Sequence, residues 1–164
     1  TEERGLYRVP ELGTSPKTRG GAITRAAVNV ADQLDTDYIT AFTQSGDTAR
    51  RLARLRPAKP VIAFTPDPKV RAFLALLWGV QTVQASSVGD TDEMTALVDR
   101  YLLANDLSVP GKLIVMAAGS PPGVAGSTNL LKVHRVGDMD DAGAVLPEEH
   151  EKLGPWLDDQ NIHA

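Results

Sequence analysis

The chain has 164 residues, 42% hydrophobic and 23% charged, which fits one soluble domain around a single core. Its net charge of −4 comes from scattered acids and bases, leaving no basic footprint for nucleic acid or an anionic membrane. No apolar run approaches the roughly 20 residues that span a bilayer, and no basic-apolar signal peptide opens the chain. The lack of cysteine excludes a disulfide scaffold and thiol chemistry and is compatible with a reducing compartment.

Residues 1–22 carry Pro10, Gly13, Pro16, Gly20 and Gly21 among charges and read as a linker. The segment begins at Thr1 with no start of its own, so it reads as a piece of something longer. From Ile23 the pattern changes. Ile23, Ala26, Ala27, Val30, Ala31 and Leu34 recur at helical spacing and define one apolar face. Residues 38–43 form a short β-prone strand. Asp47 or Thr48 can cap the following helix, whose apolar side is Ala49, Leu52 and Ala53 and which Pro57 stops. Residues 61–65 are a second strand with a fully buried pattern. Asp67-Pro68 supplies an N-cap followed by proline at the first helical position, and Val70, Phe73, Leu74 and Leu77 make the buried face. Gly79 serves as a C′ residue before the strand 80–84.

A fourth helix starts at Thr91, with Asp92 and Glu93 favoured in its first turn by the helix dipole. Met94, Leu97, Val98, Tyr101 and Leu102 form its stripe, which reads as core. Pro110-Gly111 turns the chain into the strand 113–118, and a final strand spans 129–136. Short apolar strands alternating with helices imply a mostly parallel sheet covered on both faces. The last strand comes after its neighbour with only a loop between them and is therefore expected to be antiparallel. The fold class is α/β: a three-layer α/β/α sandwich on a five-stranded sheet. Residues 138–164 are acid-rich, broken by Pro147, Gly154 and Pro155, and read as a weakly ordered tail.

Two glycine-containing loops fall at the carboxyl ends of strands, where parallel α/β sheets place their ligands. In the first, Thr43, Gln44, Ser45, Gly46, Asp47 and Thr48 combine a flexible turn, three hydroxyls and a helix N-terminus, as a phosphate cradle requires. An ordinary strand–helix turn accounts for the same residues. Asp47 weighs against the cradle, since its carboxylate would repel phosphate and, as an N-cap, would occupy the same amides. The second loop, within 119–128, is rich in glycine and proline. It reads equally as an anion nest or a tight connection between strands. There is no P-loop ending in Lys-Ser/Thr and no G-x-G-x-x-G. His134, His150 and His163 are too dispersed for a metal site, and His134 reads as a surface or interface residue. Ser120 has no acid or histidine at nucleophile-elbow spacing. Arg50, Arg51, Arg54 and Arg56 read as a solvated basic face, the other reading being a contact to an anionic effector. No catalytic constellation emerges.

The stretches T-Q-S-G-D-T-A-R-R-L-A-R-L-R-P (43–57), V-I-A-F-T-P (61–66), L-L-W-G-V (76–80) and G-S-T-N-L-L-K-V (126–133) together resemble the C-terminal domain of pyruvate kinase. I-T-R-A-A-V-N-V-A (23–31) is similar to that domain's first helix. E-E-R-G-L-Y-R-V-P (2–10) and P-K-T-R-G-G (16–21) resemble the segment immediately C-terminal to the barrel in actinobacterial-type enzymes. The resemblance implies a linker over 1–22 after a catalytic barrel absent from this chain, an α/β domain over 23–137, and a tail over 138–164 with no family role.

It further implies that the parent enzyme transfers phosphate from phosphoenolpyruvate to ADP in the cytoplasm, using Mg²⁺ and K⁺ held by the barrel. This chain would then carry no catalytic residue and no cofactor, and would be inactive alone. In the family this domain forms a subunit interface of a homotetramer and commonly binds a phosphorylated effector. The resemblance gives phosphate binding to Thr43, Gln44, Ser45, Gly46, Asp47 and Thr48. It gives a closing loop to Ser120, Pro121, Pro122, Gly123, Val124, Ala125 and Gly126. Asp47, together with the acids and Met94 at the start of the 91–98 helix, disfavours fructose 1,6-bisphosphate. A sugar monophosphate or a nucleotide monophosphate fits better, and an unused pocket is the remaining reading. The competing functional expectation is a free-standing, non-catalytic phosphosugar- or nucleotide-binding module of the same fold.

Overall fold

A computed structural model of the chain describes residues 18–119 and 128–138. Nine elements run in order: α1 (Arg19–Leu34), β1 (Tyr38–Phe42), α2 (Asp47–Arg54), β2 (Val61–Thr65), α3 (Pro68–Leu74), β3 (Val80–Gln84), α4 (Thr91–Ala104), β4 (Leu113–Gly119) and β5 (Thr128–Arg135). The sheet order is β3-β2-β1-β4-β5. β1 to β4 run parallel and β5 pairs antiparallel with β4, opposing Leu113 to Arg135 and Ile114 to His134. The expected α/β/α sandwich with an antiparallel last strand is what the chain forms. No helix among the described residues is long and apolar enough to cross a membrane.

Handedness explains the layers. Right-handed crossovers through α2 and α3 step the chain from β1 out to β3, so these helices share a face. The α4 crossover runs back across the sheet to β4 and therefore lies on the other face. Two cores result. One joins α1, α2 and α3 to the sheet through Ala27, Ala31, Leu52, Leu74, Ile39 and Val115. The other sets Met94, Leu97, Val98, Tyr101 and Leu102 of α4 against Ile62, Phe64, Ile114 and Met116. All five residues of β2 are buried, as its unbroken apolar run requires. The reversal of direction opens a crevice between the carboxyl ends of β1 and β4.

Three local expectations need correction. α1 begins at Arg19, inside the stretch read as linker. Thr18 is its N-cap, accepting a bond from the Gly21 amide at 3.1 Å, and Gly20 packs against Arg51 and Thr128. A side-chain cap and tertiary contact thus outweigh the weak helix propensity of Gly20-Gly21. α3 stops at Leu74, and the chain continues through turn-type bonds such as Leu77 N–H to Leu74 O before Gly79, in the left-handed region, leads into β3. Phe73, expected in the core, is 47% exposed, because a one-sided helix at the sheet edge buries only Leu74 completely.

His134, expected at the surface or in an interface, is buried within the domain with Asp99 of α4. Its Nε2–H donates to Asp99 Oδ1 at 2.8 Å, and the Gly137 amide donates to Oδ2 at 3.0 Å. Both oxygens of one buried carboxylate therefore tie the end of β5 to α4. Asp67 caps α3 as expected, accepting from the Lys69 amide at 2.8 Å. Asp67→Ala should lower stability by about 1 kcal/mol, read as a reduced urea midpoint with an unchanged denaturant slope.

Candidate functional site

The crevice at the carboxyl ends of the strands is a shallow, open cleft with a cavity volume of about 50 Å³. Thr43, Gln44, Ser45, Asp47 and Thr48 line one side, and Thr65, Ser86, Ser87, Gly119 and Thr128 line the rest. Its floor is aromatic. Phe42 and Phe64 stack with centroids 5.0 Å apart and planes 12° apart, and Met94 and Val88 join them in the lining. Hydroxyl-bearing residues thus line the crevice together with apolar ones, a pattern suited to a polyhydroxylated or planar ligand carrying one anionic group.

The first loop is built by a single backbone requirement. Gly46 is the N-cap of α2 with φ 84°, and its amide donates to Thr43 Oγ1 at 2.9 Å. With glycine at the cap, no side chain caps α2, so the amides of its first turn face the crevice without a capping partner. A Cβ on Gly46 would lie 3.2 Å from a Leu74 methyl and 3.3 Å from Val70, in a conformation that L side chains avoid. Gly46→Ala is therefore expected to cost about 1–3 kcal/mol, measured by chemical denaturation, and to displace the loop.

Asp47 does not cap the helix, which corrects one objection to the cradle. Its carboxylate turns back along the first turn of α2 and accepts from Arg51 Nε at 2.7 Å and from Arg50 Nη2 at 3.3 Å. Burial raises its pKa, but the bonds and charges of Arg51 and then Arg50 outweigh this, and the net shift is downward. Asp47 thus contributes stability above the ordinary aspartate range that is lost as pH falls through its lowered folded pKa. Two arginines neutralise the only charge among the described lining residues. Arg51 Nη1 also donates to Thr18 Oγ1 at 3.2 Å, joining the rim of the crevice to the cap of α1. Arg56 is not part of the site and lies over Trp78, 5.3 Å from the ring centroid.

Thr48 is held within the wall, with its hydroxyl 2.6 Å from that of Thr128 and both residues buried. The structure therefore brings Thr43, Gln44, Ser45, Gly46, Asp47 and Thr48 to one rim, with Thr48 bridging α2 to β5. The second loop, Ser120, Pro121, Pro122, Gly123, Val124, Ala125 and Gly126, lies outside the described residues. Sequence reasoning missed Ser86, Ser87 and the Phe42–Phe64 floor. The serines lie just beyond the strand 80–84, so the strand-end rule that found the first loop also reaches them. Among the described residues no group of three His, Cys, Asp or Glu could hold a metal.

The family described as "Pyruvate kinase, alpha/beta domain" matches residues 21–134. The chain is 50% identical over 131 residues to a pyruvate kinase of Corynebacterium efficiens, covering 80% of this chain and 28% of that protein. It is 47% identical over 138 residues to a pyruvate kinase of Mycobacterium tuberculosis, covering 84% and 29% respectively. Among solved structures it superposes on a Cryptosporidium parvum pyruvate kinase in complex with ADP, with a TM-score of 0.67 and 27% identity, covering 78% of this chain and 25% of that one. The chain thus spans under a third of the length of these relatives. A matched domain, actinobacterial relatives at about half identity and a shared sheet all agree: the chain belongs to the family of pyruvate kinase C-terminal α/β domains.

Proposed function

We propose that the chain is the regulatory and oligomerisation domain of a pyruvate kinase, and that its crevice takes a phosphomonoester effector. The parent enzyme transfers phosphate from phosphoenolpyruvate to ADP. Its catalytic barrel and the Mg²⁺ and K⁺ that the barrel holds belong to the part of the polypeptide preceding α1, so this chain alone is inactive. Residues before α1 act as the linker to the barrel. The subunit contact of a homotetramer runs along β5 and its flanking helices.

The observation that carries the effector reading is the α2 N-terminus, which lines the crevice with glycine as its cap and with the Asp47 carboxylate paired to two arginines. A single phosphate at these amides is favoured by the helix dipole. A second phosphate elsewhere in the ligand would meet no Lys or Arg among the described lining residues. This favours a sugar or nucleotide monophosphate over fructose 1,6-bisphosphate. Bound effector shifts the population between domain arrangements, and the subunit contact transmits that shift to the barrel.

Calorimetry on the complete polypeptide tests this with a hexose monophosphate, a nucleoside monophosphate and fructose 1,6-bisphosphate. One monophosphate should bind more tightly than the bisphosphate. Asp47→Asn should tighten it about fivefold, since removing a unit charge a few ångströms from the phosphate is worth about 1 kcal/mol in a water-like medium. Ser45→Glu should abolish it. Absence of binding by all three ligands would refute the effector reading.

A further inference from the structure

The end of α3 and the turn after it leave large apolar side chains uncovered. Of α3 only Leu74 is fully buried and Phe73 is 47% exposed, while in the following turn Leu76 is 82% and Trp78 63% exposed, and Ala72 and Ala75 are exposed as well. Beside this face a groove lined by Arg71, Ala72, Ala75, Val80 and Gln81 runs between α3 and β3. β3 is the last strand on its side of the sheet, so its outer edge has no ladder partner among the described residues. Large exposed apolar side chains beside an open strand edge mark a candidate docking surface.

Beyond the Asp67 cap, the charges that the chain carries through this region are basic. From residue 68 to residue 89 the chain carries Lys69 and Arg71 and no acid, and Arg56 covers one face of Trp78. The chain's own last 26 residues, 139–164, have the complementary composition. They hold seven acids and one lysine, and they place Leu153, Trp156 and Leu157 between Glu148, Glu149 and Glu151 on one side and Asp158 and Asp159 on the other. These residues lie beyond the family match, which ends at residue 134. The position also fits. Because β5 is antiparallel, Asp138 emerges at the end of the sheet where Gly79 leads into β3. The two edges are four strand spacings apart, about 19 Å. The 14 residues from 139 to 152 can reach up to about 46 Å when extended.

We propose that the acidic C-terminal segment docks its Leu153, Trp156 and Leu157 cluster onto Phe73, Leu76 and Trp78 at the end of α3 and in the turn after it, with Lys69, Arg71 and Arg56 meeting its acids. The chain contains no cysteine, so an engineered pair reports the contact without background. Ala75→Cys combined with Leu157→Cys should oxidise to an intrachain disulfide in most molecules. Ala75→Cys combined with a cysteine at Asp32, on α1, should not. In hydrogen exchange on the complete polypeptide, Trp156→Asp with Leu157→Asp should speed exchange across residues 73–84 about tenfold. Lys69→Glu with Arg71→Glu should do the same. A disulfide forming only between two chains would assign the face to a second copy and overturn the proposal. Protection of 73–84 unchanged by the tail substitutions would assign it to the rest of the polypeptide and overturn the proposal as well. No protection in any variant would leave the face without an occupant and equally refute docking.

Discussion

Asp99→Ala is expected to destabilise the domain by about 3–5 kcal/mol, among the largest effects available to one substitution. Asp99 is fully buried, and its two oxygens accept from the His134 ring and the Gly137 amide. Alanine removes both acceptors, strands the buried His134 ring donor at a cost of about 1–3 kcal/mol, leaves the half-buried Gly137 amide without its acceptor, and opens a cavity in place of the carboxylate. Asp99→Asn should be milder, because an amide oxygen still accepts from Gly137 and its NH₂ can face the other tautomer of the imidazole. Urea denaturation checks the order Ala worse than Asn. A double variant with His134→Phe tests the mechanism: with one of the two donors gone, Asp99→Ala should cost less than in the parent chain. Equal costs in both backgrounds would show that the pair is not coupled.

Phe64→Ala should be comparable, about 3–5 kcal/mol. Phe64 is 1% exposed near the carboxyl end of β2. It stacks on Phe42 at 5.0 Å and meets Tyr101 of α4 edge-on at 5.5 Å. Truncation loses both ring contacts, opens a cavity beneath α4 and removes part of the crevice floor. Phe64→Leu, which keeps most of the volume, should cost less than about 1.5 kcal/mol. If the two variants had equal urea midpoints, packing around the ring would not be the cause. The same pair separates stability from binding. Phe64→Leu should fold and still weaken an effector that rests on the aromatic floor.

The strand 61–65 was legible because a parallel strand buried on both faces must be apolar throughout, and it coincides with β2, while 80–84 coincides with the edge strand β3, where only Thr82 and Val83 are buried. Helix beginnings depended on partners distant in the chain. Gly20 and Gly21 look like breakers locally, whereas the Thr18 cap and the contact of Gly20 with Arg51 and Thr128 belong to the folded state. Phe73 was misplaced because helical spacing shows which residues share a face. It does not show that a short helix at a sheet edge finds only half a neighbour. Asp99 escaped notice as one acid on an apolar helix, since its two partners lie more than 30 residues away. At the site, the strand-end rule located 43–48, but the role of Asp47 turned on Arg50 and Arg51, which composition had grouped with a different cluster. The Thr48–Thr128 bridge spans 80 positions and has no local signature.

The antiparallel direction of β5 also separates the two ends of the described domain. Thr18 sits beside Arg51 at the rim of the crevice, while Asp138 leaves from the far end of β5. The eight residues of that strand put about 27 Å between them along its axis. An affinity tag or fluorescent protein fused directly after Asp138 therefore starts clear of the crevice, whereas one fused directly ahead of Thr18 crowds its rim.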